Sequence, residues 1–294
     1  MAYRILVVLD GSPASEAALP DVERIAGGGA TVHLLQLVHG LPPRASATSA
    51  KLRAGHDQAL SSLAGLRERF PDVRGLDFIR TGHPAEVILQ TALEFDIHLI
   101  TMAPHLRSTL LKASLGSAAQ SVVRRARAAV LLRGLSSPPS RKVLRRILVP
   151  LDGSVDSLSI LGTVQNLALR IGAEVVFLHV SEQSLAPLPS PFAPGEARVV
   201  EDPRAKLLGL ADRLDHSGLS YWQAIADGDP VAEILHHAET LDADLIALTT
   251  RTAMKNGTTA TNTAAIAVLE GTERAVLLQK PTGPKPLPNA WKFQ

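Results

Sequence analysis

Arg4-Ile5-Leu6-Val7-Val8-Leu9-Asp10-Gly11-Ser12 returns 142 residues later as Arg146-Ile147-Leu148-Val149-Pro150-Leu151-Asp152-Gly153-Ser154, with eight of nine positions identical. A second pair lies downstream: Gly82-His83-Pro84-Ala85-Glu86-Val87-Ile88-Leu89 matches Gly228-Asp229-Pro230-Val231-Ala232-Glu233-Ile234-Leu235, at an offset of 146. A near-constant offset of this size describes duplication of a whole domain, since solenoids and propellers repeat every 20–50 residues or so. The length agrees. At about 100–200 residues per domain, 294 residues favour two domains. The expected units are residues 1–136 and 143–280, followed by a tail at 281–294. Gly134-Leu135-Ser136-Ser137-Pro138-Pro139-Ser140 has the composition of the linker between them.

Within each half, short apolar runs alternate with helical patterns. The run at 5–9 reads as a buried parallel strand, because both of its faces are apolar. Ser12 suits a helix N-cap and Pro13 the first helical position. That helix is expected to stop at Gly27-Gly28-Gly29, where glycine tolerates left-handed dihedrals. Further strands are expected near 31–38, 76–81, 98–102 and 129–132, and helices near 50–70, 84–95 and 117–127. In the second half, strands are expected near 146–151, 174–180, 220–226, 244–249 and 275–279. Five strands and four helices per half make an open parallel α/β sheet. Residues 39–49 and 181–200 read as irregular surface loops.

Composition narrows the chemistry. Hydrophobic residues are 46% of the chain and charged residues 20%, enough to bury a core and to exclude global disorder. There is no cysteine, which removes disulfides, thiol nucleophiles and cysteine–zinc sites. A formal charge of +2 and an aromatic content of 3% give no electrostatic or stacking case for nucleic acid. The first residues lack the apolar length of a secretory signal, and no apolar stretch reaches about 18 residues, so no membrane span is expected. The expected location is the cytoplasm.

Two features carry possible chemistry. Ligands of open α/β sheets sit beyond the carboxyl ends of the strands, where Asp10 and Asp152 stand. A carboxylate there can accept hydrogen bonds from ribose hydroxyls or an adenine amine. It can also simply form a tight turn that starts a helix. The second feature is the loop from Ala103 to Ser117. Gly116 and Ser117, at the start of a helix, can offer backbone N–H groups to phosphate, with Arg107 and Lys112 adding charge. A plain helix start accounts for the same residues.

Together, the strand running into Asp-Gly-Ser, the Gly-x-Pro helix entry and the late Gly-Ser resemble the universal stress protein family. The repeat covers nearly the whole chain, so it is identified as a tandem, two-domain member. The resemblance implies two Rossmann-like domains of the adenine nucleotide alpha hydrolase-like kind, each a five-stranded parallel sheet of order 3-2-1-4-5. It also implies that the two domains pair within the chain through their last strands, with a further homodimer left open and an unidentified regulatory protein as partner. The family's ATP-binding branch carries Gly-x-x-Gly, nine residues, then Gly-Ser or Gly-Thr. The matching positions here are Ala103, Leu106, Gly116 and Ser117, of which the last two fit. In the second half they are Thr249, Thr252, Asn262 and Thr263, and all three glycines are gone. By the same resemblance, Leu37 and Val180 lie at the adenine end. Half one thus keeps a degenerate site for ATP, with magnesium, or for another adenine nucleotide, whereas half two lacks the standard triphosphate cradle.

No phosphate-binding Gly-Lys motif, zinc-protease His-Glu-x-x-His or nucleophile-elbow Gly-x-Ser-x-Gly occurs. His236 and His237 are adjacent on a helix and point about 100° apart, so they do not share one metal. Arg124-Arg125-Ala126-Arg127 reads as a solvated helix end. No residue stands out as a base for water attack. The leading expectation is a non-enzymatic stress-response module modulated by an adenine nucleotide. Slow ATP hydrolysis in half one and a ligand-free interaction scaffold are the alternatives.

Overall fold

The computed structural model describes residues 2–27, 29–38, 49–103, 115–133, 143–181, 218–250, 252–255, 258–261 and 263–281. Of the expected loops at 39–49 and 181–200 all but Ser49 and Ser181 lie outside them, as does the tail beyond 281; Ser49 begins a helix and Ser181 ends a strand.

Half one contributes β1 (Tyr3–Leu9), a 3-10 turn (Pro13–Ala18), α1 (Leu19–Ala26), β2 (Ala30–Val38), α2 (Ser49–Arg67), β3 (Asp77–Thr81), α3 (Pro84–Glu94), β4 (Leu99–Met102), α4 (Ser117–Arg125) and β5 (Ala129–Leu132). Half two contributes β6 (Arg146–Pro150), the short α5 (Val155–Leu158), α6 (Leu161–Ile171), β7 (Glu174–Ser181), β8 (Tyr221–Asp227), α7 (Pro230–Thr240), β9 (Leu245–Thr249), β10 (Thr252–Lys255), β11 (Thr258–Thr261), α8 (Thr263–Gly271) and β12 (Ala275–Gln279).

The main sheet has ten strands in the order β3-β2-β1-β4-β5-β12-β9-β6-β7-β8. Each half therefore has the 3-2-1-4-5 order, and pairing inside each half is parallel. The halves meet at one antiparallel seam, where Leu131 pairs with Leu277. Both sheet faces are covered. On β1, Ile5, Val7 and Leu9 enter one apolar cluster with α1, α2 and α6. Leu6 and Val8 enter the opposite cluster with α3, α4, α7 and α8. A two-residue alternation that buries both faces explains why these strands read as unbroken apolar runs. Each cluster continues across the seam, so the two halves share their core.

One local expectation is corrected. The helix after Ser12 is split into a 3-10 turn and α1, because Pro20 falls in the first turn of α1. Its missing N–H and its ring interrupt the i→i−4 bonding of the preceding segment. The helix ends as expected at the glycine triplet, with Gly27 as its C-cap (φ −53°) and the positive φ at Gly29 (+77°). In half two Gly172 closes α6 at φ +69°. The hairpin β10–β11, with Thr252 opposite Thr261, is an addition to the expected elements.

Candidate functional site

The strand order reverses between β1 and β4, and again between β6 and β9. Such switch points open a crevice at the carboxyl ends of the strands. Asp10 follows β1 and Ala103 follows β4, so they flank the first crevice, while Gly116 and Ser117 begin α4 beside it. Asp152 and Thr249 flank the second.

The two aspartates are built identically. In half one the backbone N–H and the hydroxyl of Ser12 both donate to Asp10 Oδ1, at 2.9 and 2.6 Å. Ser12 Oγ accepts from the Ser15 N–H at 3.2 Å, and the Ser15 hydroxyl donates to the Ser12 carbonyl at 2.7 Å. In half two Ser154 donates to Asp152 Oδ1 at 2.9 and 2.6 Å, and Ser157 closes the turn at 3.2 and 2.9 Å. One carboxylate oxygen of each aspartate therefore holds its own turn, so the helix-start reading of Asp-Gly-Ser accounts for that oxygen. The glycine between has φ +81° at Gly11 and +76° at Gly153, a conformation that side chains resist. The repeated motif is thus Asp-Gly-Ser-x-x-Ser. Ser15 and Ser157, 5% and 6% exposed, are positioning residues that were recoverable from the sequence as a longer identity between the halves.

The floor of the two crevices differs. Gln36, on β2 one residue before Leu37, is 4% exposed, and a Cβ on Gly11 would lie 3.1 Å from its Nε2. Gln36 Oε1 is buried without a hydrogen-bond partner among the described residues. The equivalent residue on β7 is His179, whose Nδ1 lies 2.9 Å from the Leu151 carbonyl. A carbonyl only accepts, so this Nδ1 carries the proton. Nothing in the sequence motifs marked Gln36. Leu37 is 7% exposed and belongs to the apolar cluster beneath α3 and α4, while Val180 is half-buried against the same layer.

The phosphate end differs more. Gly116 is the N-cap of α4, with extended ψ (148°) and no side chain to cap the first turn. Ala103 is 6% exposed, so its methyl group packs into the protein. Leu106 and Arg107 lie outside the described residues. In half two, Thr249 ends β9 half-buried, and Thr252 opens β10 in register with Thr261. Asn262 lies outside the described residues, and Thr263 begins α8. The hairpin spends backbone groups on cross-strand pairs that a phosphate loop would turn toward its ligand. Its signal was present as Asn256-Gly257, the dipeptide that favours two-residue turns, between Thr252-Ala253-Met254-Lys255 and the threonine-rich run 258–261. Beneath it, the buried Thr250 donates its N–H to the Gln279 carbonyl at 2.8 Å.

Among the described residues no group of three or more histidine, aspartate or glutamate side chains could hold a metal ion, and no helix is long and apolar enough to cross a membrane. His237 Nδ1 bonds the Glu233 carbonyl at 2.9 Å, and Arg125 pairs with Glu86, which places these residues in helix contacts.

Comparison with known proteins agrees with this architecture. A universal stress protein from Archaeoglobus fulgidus superposes with a TM-score of 0.74 at 18% identity, covering 95% of this chain and 98% of that one. A functionally unknown protein from Pseudomonas aeruginosa gives 0.65 at 20% identity, covering 95% and 93%. No curated protein sequence matches the chain. The family model for the universal stress proteins matches twice, over residues 1–132 and 144–267. With two matches that together span most of its length, and with two copies of one fold joined in a single sheet, the chain belongs to the universal stress protein family.

Proposed function

We propose that this protein is a stress-response regulatory module in which the first unit (residues 1–136) takes an adenine nucleotide, and the second (143–280) is its structural and regulatory partner. The observation that carries this reading is the unequal treatment of two otherwise matched crevices. Both retain the Asp-Gly-Ser turn, but half one has Gly116 opening its late helix where half two has Asn262, and among the described residues half two pairs β10 with β11 ahead of that helix. The first turn of α4, whose N-cap glycine has no side chain to bond its N–H groups, supports anion binding through them. Asp10, fixed through Oδ1, supports orientation of a ribose or adenine group, with Leu37 toward the base. Ala103 and Leu106 stand where the family's phosphate loop has glycines, which favours weak binding and regulation over turnover. If ATP is the ligand, magnesium comes with its phosphates.

Thermal-shift titration with ATP, AMP and cyclic AMP tests the reading, because a ligand bound only by the native state raises apparent stability. The expected result is a rise for at least one adenine nucleotide at millimolar concentration, largely lost in Asp10→Ala. Absence of any shift favours the ligand-free scaffold. Phosphate release by the wild type that is lost in Ser117→Ala favours slow hydrolysis.

A further inference from the structure

The strands that form the seam have the same sequence. β5 is Ala129-Val130-Leu131-Leu132, and β12 opens with Ala275-Val276-Leu277-Leu278. They pair antiparallel about the Leu131–Leu277 step, with Val130 opposite Leu278 and Leu132 opposite Val276. A ladder between identical antiparallel strands is two-fold symmetric. It would form equally well between two first halves or two second halves. Neither the backbone bonds nor the strand side chains can therefore choose between partners.

A buried charge cluster beside the seam is not symmetric. Asp21 on α1 accepts from Arg24 at 3.0 Å and from two nitrogens of Arg133, just past β5. Arg24 reaches across to Asp244, just before β9, at 2.7 Å. The side chains of Asp21, Arg24, Arg133 and Asp244 are 1%, 3%, 4% and 8% exposed. Arg24 and Arg133 also donate to half-two carbonyls, of Val143 at 3.4 Å and Glu273 at 3.2 Å. The second oxygen of Asp244 accepts the N–H groups of Arg145 and Arg146 at 2.8 and 3.1 Å. Of these four described groups, half one brings one carboxylate and two guanidinium groups, a surplus of one positive charge. Half two brings Asp244, which cancels it.

The repeat identifies the residues a like pair would place there. Half two has Thr163, Asn166 and Gln279 where half one has Asp21, Arg24 and Arg133, and half one has His98 where half two has Asp244. Two first halves would bury two surplus positive charges with no Asp244 to meet them. Two second halves would bury two carboxylates with neither arginine. Unpaired buried charge is strongly penalised, whereas a neutral, hydrogen-bonded cluster is tolerated. We infer that Arg24 and Asp244, supported by Asp21 and Arg133, make the seam selective for one first half with one second half, and reject like pairs that the identical strands would permit.

The test uses the full chain with a protease site placed in the 134–142 segment, prepared unlabelled and 15N-labelled. Both preparations are cleaved after folding and mixed in sub-denaturing urea, then read by native mass spectrometry. Isotopic scrambling among unlike pairs reports that the halves have exchanged. Unlike pairs are expected to exceed like pairs at least tenfold. In Arg24→Met/Asp244→Asn, which removes one charge from each half and keeps an acceptor for Arg145 and Arg146, the distribution should fall to the statistical one. A statistical distribution in the wild type, or an undiminished preference in the double variant, overturns the inference. If the halves do not exchange, melting of the uncut chain decides. Each single substitution should lower Tm, and the double should recover most of the loss. Additive losses overturn the inference.

Discussion

Asp21→Asn removes the central anion of the seam cluster and leaves the fold otherwise intact. In the wild type Asp21 and Asp244 balance Arg24 and Arg133, and every member of the cluster is at most 9% exposed. The amide preserves volume but takes from Arg24 and Arg133 the buried carboxylate that they share. Removing one partner of a buried ion pair costs about 3–5 kcal/mol. For a chain of about this length each kcal/mol moves Tm by roughly 2–4 °C, so the expected fall is about 6–20 °C. The control is Asp96→Asn, which breaks a pair with Arg4 whose side chains are 83% and 28% exposed. Exposed pairs contribute about 0–1 kcal/mol. Urea denaturation of both variants at one salt concentration measures the difference, and raising the salt should erase the Asp96 effect while sparing that of Asp21. Equal losses in the two variants, or a loss below about 1 kcal/mol for Asp21→Asn, would refute the assignment of a desolvated ionic cluster to this seam.

Three further outcomes follow from the packing. His33 is buried in a cage with Phe78 and Phe95, and its Nδ1 accepts the Leu76 N–H at 3.3 Å. Burial first, then the positive charges of Arg67 and Arg4, hold its pKa below the ordinary value of 6.5 against a partial upward pull from Asp77. The unfolded chain therefore binds this proton more readily, so the stability His33 supplies is complete above about pH 6.5 and is lost as pH falls from there toward the folded value. The drop in urea midpoint between pH 7.5 and 5 should be smaller in His33→Phe. Gly29→Ala, at φ +77° with open space around the position, should cost about 1–2 kcal/mol of backbone strain. Gly11→Ala should cost more, because its Cβ also crowds Gln36 at 3.1 Å, and chemical denaturation ranks the two. Phe177→Ala, 1% exposed beneath α6 and against Tyr221, should cost about 3–5 kcal/mol by the same assay.

Much of the fold is legible because each local signal has one physical solution. The run from Ile5 to Leu9 is apolar on both faces, and only a strand covered on both sides satisfies that. The prolines at 84 and 230 start α3 and α7 because their missing N–H costs nothing in a first turn. Both helices then stop at an aspartate with positive φ, Asp96 at 46° and Asp242 at 49°. That signal was overlooked, because aspartate adopts the left-handed region less often than glycine does. The aspartate turns of the site were legible from an identity between the halves, but Gln36 was not. Its place beside Gly11, where an added Cβ would meet its Nε2, arises only in the folded chain, and it lies in an apolar strand with no motif around it. The seam cluster was illegible for a stronger reason. Arg24 and Asp244 are 220 residues apart, and each alone reads as an ordinary surface charge. Only the meeting of two sheet edges buries them together.

That seam bears on why one crevice can diverge from the other. In a pair of identical domains, a substitution that spoils a phosphate loop appears in both sites at once. Among the described residues the β10–β11 hairpin belongs to half two, and Gly116 opens the late helix of half one, where half two has Asn262. A seam joins one of each only if unlike halves meet there. The backbone ladder cannot enforce this, because β5 and β12 present the same residues to each other. The charge cluster supplies the missing asymmetry at the point where the sheets join. The single chain fixes the one-to-one ratio of the proposed nucleotide-binding half and the hairpin-bearing half, and the seam decides whether those unlike halves face each other. Arg24 and Asp244 lie outside both crevices. Substituting them should change which halves pair without changing how Asp10 is held by Ser12, so nucleotide-dependent shifts in Tm should persist in the uncut double variant even as its pairing preference is lost.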